Sequence, residues 1–254
     1  MSDSIRVHEY GDPAQPTLVL VHGVTDAGST WPDAVAHWQP EWHLRSVSLR
    51  GHGESPRFEP AQYGRMMQTL VDDLVAVLED QPNPPIVVGH SLGGRTAVLA
   101  ALHRPELVRA LVLEDPALMH TTDERRRETR LWADGVRGFP DRREQEIARQ
   151  LGDGWSAAET QAWADSKEQV DLAMMEHLDF GPMDQDGVLN QLSVPALVVS
   201  PPDSQLIPSP ERVTNPLVRI ELLDGVGHCV RRDNPEAYHR LVDAFLAEHR
   251  SAEG

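Results

Sequence analysis

Ser91 lies in Gly89-His90-Ser91-Leu92-Gly93, directly after the β-branched run Ile86-Val87-Val88. A serine hydroxyl is a weak nucleophile until a base within hydrogen-bond reach takes its proton. Among 12 histidines, His228 is placed to be that base. It follows the last strand-like run and precedes the last helical pattern, on a glycine-containing loop that can reach over strand ends. The third member should be an acid between serine and histidine in the chain, holding the imidazole tautomer. Asp203, in "VVSPPDSQLIP", is the first choice, and Asp115 or Glu114, in "LVLEDP", are the reserve.

Acyl transfer also needs donors aimed at the developing oxyanion. Two backbone amides fit: Leu92, just after the serine at a helix start, and Val24, after "VHG" in the loop leaving the first long strand run. His22, His90, Trp132, Trp155 and Trp163 are candidates for the pocket wall, with Phe139, Met174, Met175 and Phe180 as further apolar contributors. A local arginine, Arg95 or Arg231, could offset the acidic field toward an anionic substrate. Cys229, beside the base, reads as a buried small residue.

Such a serine must sit on a sharp turn between a strand and a helix. Short apolar runs bounded by turn residues recur at 17–23, 43–51, 85–91, 108–116, 194–203 and 217–225. Helical patterns at 65–80, 92–105 and 234–249 lie between or after them. Alternating strands and helices predict an α/β protein with a mostly parallel sheet. The alternation stops between Pro116 and about Asn190, where the pattern is helical and charged, so an α-helical insertion is expected there.

The 254 residues suffice for a sizeable core, and a single cysteine excludes an internal disulfide and any cysteine-built metal centre. With 23 basic and 40 acidic side chains the formal charge is −17, which repels phosphate backbones and anionic membrane surfaces. The basic stretch "DERRRETR" at 123–130 carries its own acids and reads as a solvated helix face. A small-molecule substrate, no nucleic acid, no membrane and a cytoplasmic setting are the expectations.

Six stretches in order, "LVLVHG", "RGHGES", "VVGHSLGG", "VRALVLEDP", "VPALVVSPPD" and "GHCVRRDNPEAYHRLVDAFL", resemble the α/β-hydrolase fold superfamily over nearly the whole chain. The resemblance implies a mostly parallel central sheet of about eight strands flanked by helices, with a small α-helical cap and neither cofactor nor metal. The hydrolase core would span 1–115 and 191–254, and the cap 116–190. It also implies Ser91 as nucleophile, His228 as base, Asp203 as acid, and Val24 and Leu92 as oxyanion donors. Only one short N-terminal strand candidate, 5–10, stands where relatives often have two. The expected activity is hydrolysis of a small or medium carboxylic ester, or a related thioester, lactone or activated amide, through an acyl-enzyme. Cofactor-free perhydrolysis, acyl transfer, carbon–carbon bond hydrolysis, and ligand binding with little turnover are the alternatives.

Overall fold

The computed structural model describes residues 4–250; within them, the side chains of residues 123–126 and 128 lie outside the description, and with them much of the basic stretch. Seven strands form one sheet: β1 (Val7–Tyr10), β2 (Thr17–Val21), β3 (His43–Val47), β4 (Ile86–His90), β5 (Ala110–Glu114), β6 (Ala196–Ser200) and β7 (Val218–Leu222). Their order is β1-β3-β2-β4-β5-β6-β7, and only β1 runs antiparallel to its neighbour. The sheet thus has one strand fewer than the eight expected, because a single short strand supplies the N-terminal edge.

The central strands are apolar along nearly their whole length because both faces are covered. On one face α2 (Met66–Glu79) and α3 (Leu92–His103) pack over Val19, Val87 and Leu111. On the other, α1 (Pro32–Trp38) and α9 (Pro235–His249) cover Leu20, Val88 and Val112. Four helices fill the excursion between β5 and β6: α4 (Asp123–Arg137), α5 (Phe139–Gly152), α6 (Ala157–Lys167) and α7 (Leu172–His177). The short α8 (Val230–Asp233) precedes α9.

Strand order reverses between β2 and β4, since β3 lies to one side of β2 and β5 to the far side of β4. Such a reversal opens a crevice at the carboxyl ends of the two strands, where open α/β sheets bind ligands. Val24 leaves the end of β2 and Ser91 the end of β4. His90 is in register with Glu114, so Ser91 and Asp115 emerge side by side. No helix among the described residues is long and apolar enough to cross a membrane.

Candidate active site

Ser91 has φ 51°, a left-handed conformation that side chains rarely adopt. Its surroundings fix it there: the Ser91 N–H donates to Glu114 O at 3.0 Å, and Ser91 O accepts from Ala117 N at 3.0 Å. The flanking glycines are required by close approach. A Cβ on Gly93 would lie 2.1 Å from Val21 O, and one on Gly89 would lie 2.8 Å from Gly93 C. Thr25 (φ 69°) and Asp115 (φ 36°) are the other non-glycine residues with positive φ among those described. Thr25 and Ser91 line one cavity, and Asp115 holds His228 in the wall of the same cavity, the kind of place where backbone strain collects.

That cavity, about 670 Å³, is lined by Ser91, His90 and His228 at its floor and by side chains of the helical insertion above. Trp132, Phe139, Trp163 and Phe180 lie in its wall. Trp155 does not: its indole N–H donates to Asp233 at 2.8 Å and its ring stands edge-on to Trp163, behind the wall. Met174 and Met175 are fully buried in the core instead of lining the cavity.

Of the candidate acids, the structure brings Asp115, held in reserve, and not Asp203, against His228. His228 Nδ1–H donates to Asp115 Oδ2 at 2.6 Å. Asp203 is exposed, and among the described residues its side chain has no contact with His228. The Asp115 side chain is buried, 3% exposed, where a carboxylate acts through a low dielectric. With Nδ1 as the donor, His228 Nε2 is left as an acceptor. Among the described residues Ser91 Oγ has no hydrogen-bond partner; contacts of this kind commonly tighten only around substrate. Glu114, the other reserve, points away and accepts from Arg231 N at 2.8 Å, bracing the loop that carries His228. Burial raises its carboxyl above the usual range against the pull of Arg231.

His90 lines the cavity and also holds the His228 backbone, its Nε2–H donating to His228 O at 3.1 Å. Burial and the neighbouring His228 hold His90 well below the ordinary histidine range, so it remains neutral.

His22 is not in the wall. It is buried behind the loop leaving β2, where Nδ1–H donates to Gly23 O at 2.7 Å and Nε2 accepts from Leu49 N at 3.0 Å. One donor and one acceptor partner suit only the neutral ring, and burial lowers its pKa to about 4. Fixing Gly23 O also fixes the planar trans peptide that follows, so the Val24 N–H is aimed the opposite way. The Leu92 N–H is the first of α3, with no intrahelical acceptor and a favourable helix dipole. Neither amide has a hydrogen-bond partner among the described residues.

Beside the cavity a set of buried charges joins the insertion to the sheet. Lys167 of α6 reaches Asp26 at 2.9 Å, Arg232 bonds both Asp26 and Glu159 at 2.9 Å, and Arg231 reaches Glu159 at 2.5 Å. Burial alone would raise Asp26, but Arg232 and Lys167 together hold it far below the usual carboxylate range. Burial likewise opposes the ionised Glu159, and Arg231 and Arg232 outweigh it. Arg231 is therefore engaged by protein carboxylates. Arg95 is buried on backbone carbonyls, donating to Ala117 and Met119 at 2.9 Å and Phe180 at 2.6 Å. It ties the strand exit before the insertion to the chain leaving it.

Residues 18–241 match the profile of the alpha/beta hydrolase family. The chain belongs to that family. As a member of the α/β-hydrolases it is 35% identical over 196 residues to "Lipase LipV" of Mycobacterium tuberculosis, covering 76% of this chain and 69% of that one. It is 37% identical over 109 residues to a pimeloyl-[acyl-carrier protein] methyl ester esterase of Vibrio vulnificus, over 43% of this chain and 40% of that one. Among solved structures, a thermophilic esterase from Thermogutta terrifontis superposes with TM-score 0.77 at 20% identity, covering 97% of this chain and 94% of that one.

Two contributors were not singled out from the sequence. Ser204 donates its hydroxyl to Asp115 Oδ1 at 2.6 Å. Its only sequence signal is adjacency to Asp203 in the loop after β6. The partners of the buried charges lie far apart in the chain, Asp26 and Arg232 being separated by 206 positions, so no local pattern marks them.

Proposed function

We propose that this α/β-hydrolase cleaves carboxylic esters through an acyl-enzyme on Ser91, with His228 as general base and acid and Asp115 as the orienting carboxylate. The observation that carries the reading is the 2.6 Å contact of His228 Nδ1 with Asp115 beside Ser91 in one cavity. His228 Nε2 takes the Ser91 proton as Oγ attacks the ester carbonyl. The tetrahedral oxyanion lies between the Val24 and Leu92 amides. On collapse His228 gives the proton to the departing alcohol, and a water deprotonated by the same imidazole then releases the acid.

The helical insertion serves as a cap. Its apolar side chains and the size of the cavity favour a neutral ester with a short or medium acyl chain. The esterase and lipase relatives support the same reaction class.

The test is labelling by a fluorophosphonate followed by peptide mass spectrometry, alongside p-nitrophenyl esters of increasing acyl length. Expected are a label on Ser91, its loss in Ser91→Ala and His228→Ala, and the highest kcat/KM for short or medium chains. A folded enzyme that hydrolyses esters equally well as Ser91→Ala would refute the assignment.

A further inference from the structure

None of the residues lining the Ser91 cavity belongs to a second cluster of polar side chains on the sheet face covered by α1 and α9. His37 closes α1, while His239 and Asp243 stand four residues apart on α9, a spacing that puts both on one side of a helix. His37 Nε2 is 2.8 Å from Asp243 Oδ2, and the two imidazole rings lie 4.0 Å apart between centroids. One ligand atom from each of the three residues lies within 4.8 Å of the other two. The second Asp243 oxygen, Oδ1, is held by the Trp38 indole N–H at 2.9 Å, so that Oδ2 is the oxygen turned to His37. His239 Nδ1 is buried without a hydrogen-bond partner among the described residues.

We propose that His37, His239 and Asp243 form a binding site for a divalent first-row transition ion, zinc above all, clamping α1 to α9. Two imidazoles and one carboxylate are a donor set for zinc, whereas calcium and magnesium call for oxygen ligands. Ligand atoms around tetrahedral zinc stand about 3.4 Å apart, given bonds of about 2.1 Å. The His37–Asp243 pair opens slightly and the His239 ring closes slightly to reach that geometry. The His37 and Asp243 side chains are 42% and 44% exposed, so an ion can enter and water can complete the shell. Trp38 orients the ligating carboxylate from behind, the part usually played by outer-shell partners of metal ligands. The alternative is a plain surface ion pair between His37 and Asp243.

The full chain, freed of metal with a chelator, is titrated with zinc by calorimetry and with cobalt(II) by visible absorption. Expected are one zinc per chain, tetrahedral cobalt bands between about 500 and 700 nm, consistent with a site of this geometry, and a Tm that rises with added zinc. His37→Ala and His239→Ala should abolish the bands and the Tm rise, and Trp38→Phe should weaken zinc about tenfold. His37 is on the surface, so its variant folds, and His103→Ala serves as the control that binds like the parent. Absence of cobalt bands in the parent overturns the site. So does zinc binding that survives both histidine variants, including binding lost only in His228→Ala.

Discussion

Ser204 Oγ donates to Asp115 Oδ1 at 2.6 Å while the other oxygen of the same carboxylate holds His228 at 2.6 Å. The loop after β6, where sequence reasoning places the acid, thus supplies a hydroxyl that steadies the carboxylate just beyond β5. Asp115→Asn would present an amide to the His228 Nδ1–H and favour the wrong tautomer, so kcat should fall by about 10⁴. Asp203→Asn should leave kcat within about twofold of the parent, as expected for an exposed side chain away from special features. Steady-state ester hydrolysis by the two variants decides between them, and the reverse order of effects would return the role to Asp203.

Acid stability should follow the buried histidines first. Burial brings His22 from the ordinary 6.5 to about 4, and His52, edge-on to it at 4.9 Å, to about 3. Between those values and 6.5 the unfolded chain binds protons that the folded chain refuses. Stability is therefore complete above about 6.5 and declines as pH falls through that window. His22 alone accounts for on the order of 3 kcal/mol across it. Asp26 and Glu159, held low, add their loss only once the pH drops below the usual carboxylate range. Urea unfolding from pH 7.5 to 4.5 measures the slope, and His52→Gln should flatten it. A parent profile level throughout that range would contradict the assignment of neutral buried rings.

Cys229 should be chemically quiet although it lines the cavity. Burial pushes its thiol up to about 12 from 9.0, so little thiolate exists at pH 8. Alkylation by iodoacetamide in the native protein should be about a thousandfold slower than in denaturant, in proportion to the thiolate fraction. Comparable rates in the two conditions would place the thiol in a different environment.

Buried and exposed ion pairs should respond differently. Asp26→Asn leaves Lys167 and Arg232 short of a counter-charge in apolar surroundings and should cost about 3–5 kcal/mol. Glu54→Ala removes a pair whose side chains are 55% and 69% exposed and should cost under about 1 kcal/mol. Chemical denaturation compares the two. Similar costs would show that the buried charges are not acting as a unit.

Much of the candidate site is legible locally. The elbow at Ser91 announces itself because Gly89 and Gly93 stand where any side chain would strike backbone. His228 is singled out by its glycine-containing loop after the last strand, just before α8. The acid was not legible in the same way, because "LVLEDP" and "SPPDSQ" both end strands at the same edge of the sheet. What separates Asp115 from Asp203 is three-dimensional: a positive φ and a register that set Asp115 next to Ser91. The sequence places His22 at the rim because its observed role, holding a peptide plane, is carried by hydrogen bonds to a neighbouring carbonyl and to Leu49, 27 positions away, which no local pattern marks. Trp155 and Trp163 both carry the apolar bulk of a pocket wall. Only the pairing of Trp155 with Asp233 removes it from the lining.

The buried charges also set which part of the helical insertion is anchored. Glu159 and Lys167 both sit on α6, and their ionic partners lie outside the insertion, Asp26 in the loop after β2 and Arg231 and Arg232 on α8. Lys167 Nζ and Ser166 Oγ further grip Thr25 O, at 2.9 and 3.0 Å, one residue beyond the Val24 amide. Lifting α6 would leave several charges unmatched together, whereas α4 offers Leu131 and Trp132 to solvent, with Trp132 also facing the cavity. The insertion is hung like a door, with α6 as the post and α4 as the free edge. The same post holds Thr25 O, and with it the backbone that follows the Val24 amide, in place.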